Sequence, residues 1–94
     1  MNGQEQRSPV TNGITISFLR PPAHDVPLSF KVRIQIDLGG HRVAWEMIMA
    51  PDMAIPIELD TTQKLILLAK EGELLVDSSQ MAKDFPIFLE EQAM

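Results

Sequence analysis

Cysteine is missing from all 94 residues. That removes disulfides, thiol nucleophiles, iron–sulfur clusters and thiolate zinc sites in one step. A chain this short without staples must be held by its core alone, or by a core shared with a partner. Basic residues are sparse as well. Eight Lys+Arg stand against 13 Asp+Glu, a formal charge of −5. Binding DNA or RNA needs Lys/Arg clusters that neutralise phosphates, and none occurs, so direct nucleic-acid binding is not expected. Long apolar runs are missing too. The stretch Leu65 to Ala69 is far too short to cross a bilayer, and Met1 to Pro9 has no apolar signal-peptide region. No membrane association is expected, and the cytoplasm is the expected location.

Chemistry-bearing motifs are equally thin. Only two histidines exist. His24 stands beside Asp25, an imidazole–carboxylate pair of the kind that serves base catalysis. No nucleophile elbow accompanies it, and Ser17 and Ser29 fall in strands. His41 follows a Gly-Gly turn, where an exposed hairpin end explains it. A metal site needs three or more converging ligands, and no His/Asp/Glu spacing supplies them. None of the five glycines forms a phosphate-cradling loop with a following Lys and Ser/Thr. No cofactor, metal or catalytic residue is therefore assigned.

The rest of the composition is that of a globular chain, 45% hydrophobic and 22% charged. Charge divides unevenly. Residues 1–50 carry five basic and four acidic residues, and residues 51–94 carry three basic and nine acidic, a balance of −6. The acidic half suits a basic protein partner. Residues 1–13 are polar, cannot bury enough apolar surface to offset ordering, and read as a flexible tail. Residues 14–94 form one domain.

Ile14, Ile16 and Phe18 alternate with polar residues, as in a short strand. Three prolines in the eight residues from Arg20 to Pro27 make a surface loop. The strongest signal follows. Leu28, Phe30, Val32, Ile34, Ile36 and Leu38 are apolar, and every residue between them is polar. This is the period of a half-buried antiparallel strand. Gly39-Gly40 accepts the positive φ of a two-residue hairpin turn, and Val43, Trp45, Met47 and Met49 alternate again on the return. Such a turn sets Ile36 against Val43, Ile34 against Trp45, Val32 against Met47 and Phe30 against Met49. Asp37 then meets Arg42, and Arg33 meets Glu46, on the other face. A one-residue slip destroys both patterns.

Ala50 to Met53 reads as a turn. Ile55, Ile57 and Leu59 form a strand that Pro56 confines to an edge. Asp60-Thr61-Thr62-Gln63 has the form of a helix start. Leu65, Ile66, Leu68 and Ala69 then fall on one helical arc, with Gly72 at the C-terminal stop. Leu67 is the exception, in the middle of the polar face. The competing reading makes residues 64–77 a second hairpin. Met81, Phe85, Phe88 and Leu89 form one helical stripe, broken by Pro86.

The expected fold is α+β: an antiparallel sheet of about four strands around the Gly-Gly hairpin, covered by C-terminal helical segments. The alternative is an all-β sandwich. The expected function is a non-enzymatic protein-binding or regulatory domain, acting through an apolar and acidic surface of the C-terminal half. Its partner residues are Leu67, Phe85, Phe88, Glu90 and Glu91, with Ile48 as further surplus apolar surface. If the helices leave part of the sheet bare, two chains pair through it as a homodimer. The other class is a small enzyme or enzyme subunit using His24 and Asp25 with residues from a neighbouring chain. A third reading, an acidic decoy filling a nucleic-acid site on another protein, predicts binding that weakens steeply with salt.

Overall fold

Two-residue alternation organises most of the structure, a computed structural model that describes residues 12–20 and 29–92. Among the described residues the strands are β1 (Gly13–Leu19), β2 (Phe30–Leu38), β3 (His41–Met49), β4 (Ala54–Glu58), β5 (Lys64–Lys70), β6 (Glu73–Gln80) and β7 (Ile87–Gln92). They form two sheets, a four-stranded one in the order β3-β2-β1-β7 and a three-stranded one in the order β4-β5-β6. No helix occurs among them. The α+β expectation with helical cover is thus incorrect, and the all-β alternative holds.

The central hairpin adopts the expected register throughout, with Ile36 opposite Val43, Ile34 opposite Trp45 and Phe30 opposite Met49. Gly39 and Gly40 have φ of 55° and 87°, the pair of positive values that a type I′ turn requires. Arg42 Nε donates to Asp37 Oδ1 at 2.7 Å on the outer face. The Gly39 N–H donates to Asn12 Oδ1 at 2.9 Å, which ties the turn to the residue preceding β1. Gly13 pairs with Asp37 within β1. The segment read as a tail lies, through residue 11, outside the described residues.

The β5 region is where helix gives way to strand. Leu65, Leu67 and Ala69 point into the core, while Ile66 and Leu68 alternate outward and are half-buried. Four branched or long apolar residues in a row suit a central strand apolar on both faces. Asp60 performs the capping chemistry that suggested a helix. Its carboxylate accepts the N–H groups of Thr62 at 2.7 Å and Gln63 at 2.8 Å, and the Thr62 hydroxyl at 2.9 Å. The cap closes a turn between two strands, because an Asx bond satisfies local N–H groups whatever follows. Glu71 and Gly72, at φ of 54° and 78°, then make a second two-residue turn between β5 and β6. Pro56 lies on the edge strand β4, as expected.

The last helical stripe is also replaced by strand. Residues 81–86 make turns, with the Phe85 N–H donating to the Ala82 carbonyl at 3.1 Å. The Pro86 carbonyl accepts the Ile14 N–H at 3.0 Å, and β7 then runs parallel to β1, Ile14 beside Ile87 and Ile16 beside Leu89. Proline has no N–H to continue a helix, but its carbonyl is free to open a ladder. The core lies between the sheets: Ile14, Ile16, Val32, Ile34 and Met49 from the large sheet meet Leu65 and Leu67 from the small one.

Candidate partner-binding surface

The smaller sheet does not cover all of the larger sheet's apolar face. Phe30, Val32, Ile34 and Met49 are buried, yet Val43 is 59% and Trp45 37% exposed at the far end of the hairpin. At the other edge β7 carries Phe88 at 53% and Leu89 at 45% exposure. The pairing of β7 with β1 sets Phe88 and Glu90 beside Thr15 and Ser17 on the outer face. A Cβ on Gly13 would stand 3.7 Å from the Phe88 ring, an ordinary van der Waals contact.

The five residues assigned to partner binding separate on this framework. Leu67 has no exposed surface. It faces the core because it belongs to a strand, so no partner reaches it in the folded chain. Phe85 is partly buried and packs against the core. Glu91 is exposed but engaged. Its carboxylate accepts Arg20 Nε at 2.9 Å and Nη2 at 3.2 Å, a two-pronged pair. Phe88 and Glu90 lie on the surface of β7. Leu89, read from the sequence as part of a helical stripe and not among the partner residues, joins them at the surface. Two-sided apolar exposure follows from β7 being an edge strand, which period alone does not reveal. Ile48 is exposed on the outer face of β3.

Arg20 escaped the sequence reading as a structural residue. It continues the inward parity of β1 past Phe18 and closes one end of the sandwich. Besides Glu91 on the large sheet, it donates through Nη1 to the Gly72 carbonyl at 2.6 Å and reaches both Glu73 oxygens at 3.4 Å on the small sheet. Its guanidinium carbon stands 6.0 Å from the Phe18 ring centre and 5.9 Å from that of Phe30, within cation–π range. The bond from Arg20 holds the Glu91 carboxyl below its ordinary range, and the Glu91 and Glu73 carboxylates hold the Arg20 guanidinium still more firmly protonated. No local sequence signal links residues so far apart in the chain.

His24 and Asp25 lie outside the described residues. His41 is exposed beside the hairpin turn. A groove of about 330 Å3 includes Ser17, Leu19, Lys31, Arg33 and Glu46 in its lining. A second, of about 350 Å3, is lined by Ser78, Ser79, Met81, Lys83 and Phe85 among others. Neither lining pairs a serine with a histidine. Among the described residues no three His, Asp or Glu side chains converge as metal ligands, and no helix is long and apolar enough to cross a membrane. No family model matches the chain, and neither a curated protein nor a solved structure matches it.

Proposed function

We propose that this protein is a non-enzymatic binding or regulatory domain of the cytoplasm that presents β7 to a basic protein partner. The observation that carries this reading is the joint exposure of Phe88 and Leu89, on opposite sides of one edge strand, with Glu90 between Leu89 and the Arg20-bound Glu91. An edge strand offers unpaired backbone groups, and apolar side chains beside them supply burial on docking. The net negative charge of residues 51–94 favours a partner rich in Lys or Arg and speeds their encounter.

A photo-crosslinking side chain at Phe88, in the full chain expressed in its native cell, tests this. A discrete basic partner is trapped, and Phe88→Asp abolishes its capture while leaving the unfolding midpoint unchanged. Association weakens as salt rises. Should His24→Ala abolish biological activity while Phe88→Asp preserves it, the enzyme reading replaces this one.

A further inference from the structure

Among the described residues each sheet has two edge strands, and three of these four carry features that discourage pairing with a second copy of this chain. β4 contains Pro56. β6 has a register shift against β5, between Lys64 and Ile66, and ends in Asp77-Ser78-Ser79-Gln80. β7 has adjacent carboxylates at Glu90 and Glu91, which repel the same strand of a second copy while suiting a basic partner. These are ordinary devices for blunting an edge. β3 has none of them. It is nine residues long, without proline, in unbroken register with β2, and no charge points to its inner side.

We infer that a second copy of this chain pairs with β3, antiparallel and edge to edge, about a two-fold axis at Ala44. The turn geometry selects this arrangement. In a two-residue hairpin the residues flanking the turn, Leu38 and His41, exchange both backbone bonds. His41, Val43, Trp45 and Met47 therefore direct their N–H and C=O groups toward β2. Arg42, Ala44, Glu46 and Ile48 direct theirs outward, to an edge that no other described strand pairs with. A ladder between two copies must match outward groups with outward groups, so one-residue slips are excluded.

Charge then chooses among the remaining registers. With Ala44 opposite the partner's Ala44, Arg42 stands opposite the partner's Glu46, and the reverse pair repeats by symmetry. Arg42 spends its Nε on Asp37 at 2.7 Å, which leaves the two terminal nitrogens of its fork to bond across the axis. Arg33 already faces Glu46 within the chain. The outer face of the joined sheet then reads Asp37, Arg42, the partner's Glu46, the partner's Arg33, with charge alternating at every step. On the inner face Val43 stands opposite the partner's Trp45. Both side chains are exposed in the single chain, and this contact buries them together. A two-residue slip either way sets Arg42 against alanine or isoleucine and loses both ion pairs.

The surface is independent of the proposed partner site, since β3 and β7 are opposite edges of the sheet. Sedimentation equilibrium on the full chain, with Ala44 substituted, tests it. Wild-type protein sediments as a dimer. Ala44→Pro, which removes an N–H that β2 does not use, sediments as a monomer with its fold intact by circular dichroism. Ala44→Cys supplies a sole cysteine whose Cα lies about 5.5 Å from its copy in a hydrogen-bonded pair, within disulfide reach. Mild oxidation joins it covalently. Ile48→Cys, about 27 Å from its own copy at roughly 3.3 Å per residue, stays single. A monomer at every concentration, or equal cross-linking at Ala44 and Ile48, overturns the inference. So does a dimer that survives Ala44→Pro. Phe88→Asp leaves the dimer unchanged, so loss of the partner and loss of the dimer are read separately.

Discussion

Arg20 Nε lies 2.9 Å from Glu91 Oε2, and the same guanidinium donates to the Gly72 carbonyl of the opposing sheet. One side chain thus joins the last strand, the first strand and the turn between β5 and β6. The pair is exposed, so its worth comes from geometry and from the number of partners rather than from charge alone. Arg20→Ala lowers the thermal midpoint. Arg20→Lys falls between it and wild type, because an ammonium keeps the charge but cannot fork to two carboxylates and a carbonyl. Thermal unfolding followed by circular dichroism checks the order, and equal midpoints for all three would remove the clamp.

Acid should weaken the fold. Arg42 holds the Asp37 carboxyl below its ordinary value, the Thr62 N–H that of Asp60, the Ser79 N–H that of Asp77, and Arg20 that of Glu91. Each group is a stronger acid folded than unfolded, so its contribution is complete above its unfolded value. It is lost as pH falls through the lowered one. With ordinary values of 3.8 for aspartate and 4.5 for glutamate, stability is flat through neutrality and declines below that range. Glu91→Gln flattens the acid limb. Urea midpoints across pH test this, and an acid limb unchanged in Glu91→Gln contradicts it.

Leu67 discriminates strand from helix energetically. It has no exposed surface, whereas Leu68 is half-buried on the outer side of β5. Leu67→Ala should cost about 2–5 kcal/mol, the range for a buried leucine, and Leu68→Ala about 1 kcal/mol. A helix with Leu67 on its polar face reverses that order. Chemical denaturation of the two variants decides.

Glu71 occupies the left-handed region at φ 54° without being glycine. For a residue with a Cβ this conformation costs about 1–2 kcal/mol. Glu71→Gly should therefore stabilise the chain by about 0.5–1 kcal/mol, after the added freedom of the unfolded glycine is offset. Glu71→Val, branched at Cβ, destabilises it. Denaturant midpoints that move the opposite way would show that the turn differs from type I′.

The central hairpin was fully legible in the residues, because a two-residue turn and two matched faces leave one register. Trp45 sits opposite Ile34 and Arg42 opposite Asp37, as alternation and charge required. Asp60 was legible as a cap but not as to what it capped. Its bonds to Thr62 and Gln63 are local, and helix and strand use the same ones. The misfit of Leu67 on a helical wheel was the available clue, and it pointed to the strand. Among the candidate partner residues, Phe88 and Glu90 kept surface positions, while Leu67 went to the core and Glu91 to Arg20.

Composition and period were enough to define the strand that carries Ile34, its turn and its pairing, since those interactions join neighbours in the chain. Packing settled the rest: whether Leu65 to Ala69 wound or extended, that β7 would lie parallel beside β1, and that Arg20 would bridge the sheets. An apolar run of that length satisfies either backbone, and the choice falls to whichever one buries Leu67 in the core shared by the two sheets. That burial exists only after distant segments have come together.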